Sequence, residues 1–144
     1  MHLNRGVEYG IEGLTYLARA GNNRSMLLRE VSRATCIPET FLSKIFQRLV
    51  RSGLVRSRRG FRGGFLLARP ASQITLREVI EALQGPLFTP SREESRAREL
   101  TGRARLLLQQ VMEKAQARVR AVLEETTVAD LASTNFSAHL GVHY

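Results

Sequence analysis

The chain is short of the residues that disulfide-stapled and membrane-spanning proteins depend on. It has one cysteine, Cys36, so no disulfide can close within it, and the simplest compartment is the cytoplasm. There is no tryptophan, and no apolar run approaches the roughly 18 residues that a transmembrane helix needs, so no membrane partner is expected. The opening Met1-His2-Leu3-Asn4-Arg5-Gly6 lacks the apolar stretch of a signal peptide. Acid is scarce in one place above all: residues 40–77 contain nine Lys+Arg and no Asp or Glu.

What is present divides by charge. The net charge is +9 over 144 residues, a length that fits one domain and an accessory element. Residues 1–77 carry 14 Lys+Arg against the four acids Glu8, Glu12, Glu30 and Glu39, a balance of +10. Residues 78–144 carry eight against nine, a balance of −1. Solvated surfaces usually mix the two signs, so an asymmetry this local reads as a face for a polyanion.

Hydrophobic spacing supplies the elements. Residues 4–20 read as a helix capped by Asn4, with Val7, Ile11, Leu14, Leu17 and Ala18 on one side. A short second helix, residues 27–34, turns Leu28, Val31 and Ala34 inward, and Thr35-Cys36-Ile37 makes the turn. A third helix is predicted over residues 38–52, with Pro38 as its first residue and Gly53 as a left-handed stop. Phe41, Leu42, Ile45, Phe46 and Leu49 form its buried face; Thr40, Ser43, Lys44, Gln47, Arg48 and Arg51 form an exposed face without a carboxylate.

A hairpin follows: a strand through Leu54-Val55-Arg56-Ser57-Arg58, the loop Arg59-Gly60-Phe61-Arg62-Gly63-Gly64, and a strand through Phe65-Leu66-Leu67-Ala68. Thr75 and Glu78 have capping-box spacing at the start of a helix that carries Leu76, Val79, Ile80 and Leu83 and stops at Gly85-Pro86. A long helix, in place by Gly102 and running to about Glu125, has apolar residues Leu100, Ala104, Leu107, Leu108, Val111, Ala115, Val119, Val122 and Leu123 at near-heptad spacing. A helix of this length beside so small a domain points to a partner helix, with Leu107, Leu108, Val111, Ala115, Val119 and Val122 at the dimer interface. Residues 127–132 read as a short capped helix.

The fold class is therefore mainly α: a winged helix-turn-helix domain with a two-stranded wing, residues 1–85, plus a long C-terminal dimerisation helix. Residues 86–100 form a loop, residues 101–132 the dimerisation helix with a short packing helix, and residues 133–144 a tail. A helix fits the major groove of B-form DNA, where carboxylates would be repelled by phosphate. Lys44 is suited to guanine O6/N7 and Gln47 to adenine N6/N7, while Thr40 and Ser43 suit bases or phosphate. The wing arginines Arg56, Arg58, Arg59 and Arg62 suit phosphate or a narrow minor groove, and Gly60, Gly63 and Gly64 allow close backbone approach. The same glycines do not make a nucleotide phosphate loop, because no Gly-Lys-Ser/Thr ending follows.

Assembled, these residues resemble the Rrf2 family of regulators, which includes IscR, NsrR and CymR. The resemblance is carried by Glu8-Tyr9-Gly10 with Leu14, by Ile37-Pro38 through Leu49, and by Gly53-Leu54-Val55-Arg56-Ser57. It continues in Arg59-Gly60, Gly63-Gly64-Phe65, Leu67-Ala68-Arg69-Pro70, Ile74-Thr75-Leu76, Glu81-Ala82 and Gly85-Pro86. It covers residues 1–86 closely, and the long helix and Thr127-Val128-Ala129-Asp130-Leu131 more loosely. It implies a homodimer with crossing long helices on a palindromic operator, base contacts from Thr40, Ser43 and Lys44, and minor-groove contact from Arg59 to Gly63.

Cluster-binding members of that family place three cysteines after the helix that ends at Gly85. Residues 86–105 contain none here, so no iron–sulfur cluster, no other cofactor and no metal is expected, and Glu8 reads as a surface or capping residue. Cys36 is either a redox-active thiol, with Arg33 and the start of the third helix placed to favour its thiolate, or a small half-buried residue in a turn. His139 and His143 lie four apart in the tail, a spacing that reads as disordered tail before metal pair. A small-molecule effector or a protein partner would fit between the domain and the long helix. The function expected is a sequence-specific DNA-binding transcription regulator, a repressor; the alternative is a protein-binding module that docks a partner enzyme through its basic winged domain. No Ser/His/Asp, Cys/His or metal-ligand constellation marks an enzyme.

Overall fold

Helix α1 (Arg5–Ala20) begins where Asn4 turns its side-chain oxygen back to accept the Val7 N–H at 2.9 Å, and it ends at Gly21. The computed structural model describes residues 1–21, 23–60, 63–89 and 102–133. Helix α2 (Leu28–Thr35) is held at its start by Glu30, whose carboxylate accepts the Leu27 N–H at 2.7 Å. Helix α3 (Glu39–Arg51) follows after a tight turn in which Cys36 takes a left-handed conformation, φ 58°. Ser32 closes that turn by donating its hydroxyl to the Ile37 carbonyl at 2.6 Å.

Strands β1 (Val55–Arg58) and β2 (Gly64–Leu67) pair antiparallel, Val55 opposite Leu67 and Arg58 opposite Gly64. The hairpin is anchored on its β2 side: Met26 and Phe65 exchange both backbone hydrogen bonds, at 2.8 and 2.9 Å. Gly64 makes this approach possible. Its φ is +137°, and a Cβ there would lie 2.4 Å from the Met26 carbonyl oxygen. A turn of 3-10 helix (Ala71–Gln73) leads to helix α4 (Leu76–Gln84), whose Thr75/Glu78 capping box forms as the sequence predicts.

Helix α5 (Arg103–Glu125) and helix α6 (Val128–Ala132) complete the described residues. One core joins α1 to α4, the wing base and the end of α5, with Val7, Leu14, Val31, Leu42, Phe46, Leu49, Ile74 and Val79 fully buried. Gly13 lets α3 close on α1, because a Cβ there would lie 2.7 Å from the Phe46 ring.

Four sequence expectations are corrected. Phe41 is 55% exposed rather than buried: the inner face of α3 is Leu42, Ile45, Phe46 and Leu49, and Phe41 lies to one side, against the Tyr9 ring at 6.4 Å. Ala34 is exposed, because α2 turns Leu28, Val31, Ser32 and Thr35 inward instead. Pro38 is the cap of α3, not its first helical residue, so the helix opens on an exposed carboxylate, Glu39, at the end where the backbone dipole favours negative charge. Val119 packs half-buried against its own core, beside buried Leu123, and so leaves the set facing outward.

Candidate nucleic-acid interface

The exposed side of α3 is built by its spacing. Thr40, Lys44, Gln47 and Arg51 recur at intervals of four, three and four, which places them in one stripe opposite the buried Leu42, Ile45 and Leu49. All four are exposed, and Ser43 beside them is half-buried. Arg48 is on the flank, and one of its terminal nitrogens donates to the Leu83 carbonyl at 3.0 Å, so it joins α3 to the end of α4.

The wing continues this surface. On β1 only Val55 is buried; Arg56, Ser57 and Arg58 are exposed, as are Arg59 and Gly60 beyond them. Gly60 has φ +116° and accepts the Gly63 N–H at 2.9 Å, which folds the start of the loop back on its end. An open groove of about 650 Å³ separates wing from helix, lined by Val50 and Gly53 at the end of α3, by Val55, Arg56, Ser57 and Arg59, and by Ala68. The end of α3, Arg56 and Arg59 thus share one concave surface. Arg62 lies outside the described residues.

Charge pairing separates two kinds of cation. Among the described residues the ion pairs are Arg69–Glu78, Arg77–Glu81 and Arg77–Glu124, all at α4. Lys44, Arg51, Arg56, Arg58 and Arg59 have no acidic partner among the described residues; Arg56 and Arg59 line the groove, which therefore carries uncompensated positive charge. Arg29 and Arg33, exposed four residues apart on α2, extend the unpaired set. Sequence reading did not single them out as contacts, although their spacing, which puts both on one side of the helix, was there to be used.

Other expected sites fall elsewhere. Cys36 is free and exposed in the turn, not half-buried. Glu8 is exposed in the first turn of α1, where a carboxylate suits the helix start. Leu100, His139 and His143 lie outside the described residues, as do residues 90–101 of the loop and 134–144 of the tail. The junction of the winged body with α5 is an open groove of about 460 Å³, lined by Thr75, Arg77, Glu78, Glu81 and Glu124.

Along α5, Leu107, Leu108, Val111 and Val122 are large, apolar and exposed, and Ala104 and Ala115 are exposed with them. Leu106 and Met112, which sequence reading left out, are exposed too. Ala104, Leu108, Val111, Ala115 and Val122 fall on one stripe of heptad type, interrupted only by Arg118. No described helix is long and apolar enough to cross a membrane.

Comparison with known proteins gives the same reading. The family profile described as "Rrf2: Iron-dependent Transcriptional regulator" matches residues 3–134. A Mycobacterium tuberculosis protein named as an HTH-type transcriptional regulator is 32% identical over 140 residues, 97% of this chain and 86% of its own. The HTH-type transcriptional regulator IscR of Cereibacter sphaeroides is 33% identical over 116 residues, 80% of this chain and 75% of its own. The solved structure of CymR, the global cysteine regulator of Bacillus subtilis, superposes with a TM-score of 0.71 at 26% identity, covering 92% of this chain and 96% of that one. These relatives regulate transcription and are not enzymes. With a basic helix and a basic wing at its surface and a family match that spans nearly its whole length, the chain belongs to the Rrf2 family of DNA-binding transcription regulators.

Proposed function

We propose that the chain is a homodimeric repressor that binds a palindromic operator, laying α3 in the major groove and the wing along the adjacent minor groove or backbone. The observations that carry this reading are the exposed stripe of Thr40, Lys44, Gln47 and Arg51 on α3 and the exposed Arg56, Arg58 and Arg59 of the wing, which meet at the groove between the end of α3 and β1, with no acid paired to any of them among the described residues. Lys44 and Gln47 read base edges; the wing arginines neutralise phosphate. The exposed stripe of Ala104, Leu108, Val111, Ala115 and Val122 supports pairing of two α5 helices, since so long an apolar row left in water is unfavourable and a second copy covers it. A dimer seated on a promoter occupies duplex that polymerase requires, which makes repression the simplest outcome.

The reading includes no iron–sulfur cluster. Such clusters are held by several thiolates, and the donor set does not fit: the chain has one cysteine, set in the turn between α2 and α3. Selection of bound duplexes from a random library with the purified chain tests the proposal. It predicts an inverted repeat with half-sites about one helical turn apart. Enrichment of a lone half-site would contradict the dimer, and retention by acidic proteins with no enriched duplex would contradict DNA reading altogether.

A further inference from the structure

Among the described residues, helix α5 meets the winged body near its C-terminal end. Thr75 and Thr127 form an antiparallel bridge in which the Leu76 N–H donates to the Thr126 carbonyl at 2.8 Å and the Val128 N–H to the Ile74 carbonyl at 2.9 Å. Buried Leu123 and Val128 seat this joint in the core. Across it, the Arg77 guanidinium on α4 binds Glu124 on α5 while also holding Glu81 on its own helix at 3.3 Å. One turn further back, Arg120 stacks on Phe88 at 5.0 Å. Beyond that point the outward apolar row of α5, from Leu106 to Met112, is exposed.

A helix whose described joint lies near one end acts as a lever on that joint. From Leu123 to Val111, in the middle of the exposed stripe, is about 18 Å at 1.5 Å per residue. A 10° change at the joint moves that point by about 3 Å, and two-fold symmetry doubles the displacement between winged domains to about 6 Å, nearly two base-pair steps of 3.4 Å. Reading one half-site spacing and rejecting its neighbours therefore requires a joint held to within a few degrees. The backbone bridge fixes the position of the joint. The two hydrogen bonds lie along one line with Leu123 and Val128 packed beneath it, and the Arg77 bridge to Glu124 and Glu81, off that line, adds resistance to rotation about it.

We propose that Arg77, acting through Glu124, is a positioning residue that sets the half-site spacing the dimer accepts; this rests on the dimeric operator reading above. Arg77 is half-buried and Glu124 exposed, so solvent screens the pair and it contributes little to stability. Its loss frees an angle and leaves the fold intact.

The test uses the full chain and duplexes that carry the selected half-site, inverted about spacers varied one base pair at a time. Wild type is expected to bind its best spacing about tenfold more tightly than spacings one base pair longer or shorter. Arg77→Ala and Glu124→Ala are each expected to flatten this preference to about threefold or less, while affinity for a single half-site stays within about threefold of wild type. The conservative variant Arg77→Lys, which keeps a cation between Glu81 and Glu124, should retain the sharp optimum. A merely structural role would lower binding at every spacing and leave the profile's shape unchanged. Alanine variants that keep the wild-type profile would overturn the proposal alone. A wild type indifferent to spacing, or one from which no half-site is selected, would overturn it together with the reading beneath it.

Discussion

Phe46 and Phe65 meet edge to face, their ring centroids 5.1 Å apart at an interplanar angle of 71°. Phe46 is fully buried on the inner face of α3, and Phe65 is half-buried on β2. The contact fixes wing to recognition helix from beneath, so the two cationic elements face outward as a unit. Phe65→Ala should cost about 2 kcal/mol, below the range for a fully buried ring. Urea unfolding measures that loss. Duplex affinity should also fall, because the wing loses its fixed angle to the helix.

Lys44 and the wing arginines should fail differently. On the proposed reading, Lys44 addresses bases, so Lys44→Ala should change the selected sequence at one position of each half-site, costing about 1–3 kcal/mol on the preferred base pair. Repeating the duplex selection with the variant checks this; an unchanged motif at unchanged affinity would remove Lys44 from base reading.

The outward stripe on α5 gives a test of the dimer. Leu108 is 62% exposed in the single chain, so Leu108→Glu should disturb the protomer by no more than about 0.5 kcal/mol. It would place two carboxylates in an apolar seam. Sedimentation velocity should show the variant as a monomer at concentrations where the wild type is a dimer, with helical content retained.

Acid sensitivity should centre on Glu78. Desolvation pushes its carboxyl up, but the Thr75 backbone, the Arg69 guanidinium and the Thr75 hydroxyl together outweigh this and hold it below its ordinary value. As pH falls, the unfolded chain therefore takes up this proton first. The stabilisation is complete above the unfolded carboxylate value of about 4.3 and is lost as pH drops through the folded value. Urea midpoints followed from about pH 6 down to 3 should fall less steeply for Glu78→Gln than for wild type, the variant starting lower because the cap is weakened.

Much of this molecule is legible in its sequence because its signals are local. Asn4, Thr75 with Glu78, and Thr127 with Asp130 cap helices as their spacing foretells. The glycines around Arg59 mark the wing, and the acid-free run of residues 40–77 marks the polyanion face. What escaped depends on contacts distant in sequence. Phe41 reads as core because it is apolar and adjoins Leu42, yet only Tyr9 reaches it. Val119 fits the heptad pattern, but the end of α5 turns back onto α4 and claims it for the protomer's own core. No local signal shows that Arg48 donates to the Leu83 carbonyl, which α4 brings to it from 35 residues away. No spacing rule joins Arg77 to Glu124 across 47 residues.

The central claim is that α3 and the wing present one uncompensated cationic surface to a duplex, and salt dependence tests it most directly. Affinity for the selected duplex should fall steeply with salt. Arg56→Ala, Arg58→Ala and Arg59→Ala combined should reduce the slope of log affinity against log salt by up to about 2.7 per winged domain, about 0.9 for each phosphate that is no longer neutralised. A slope that the triple variant leaves unchanged, or a wild-type affinity insensitive to salt, would contradict the account.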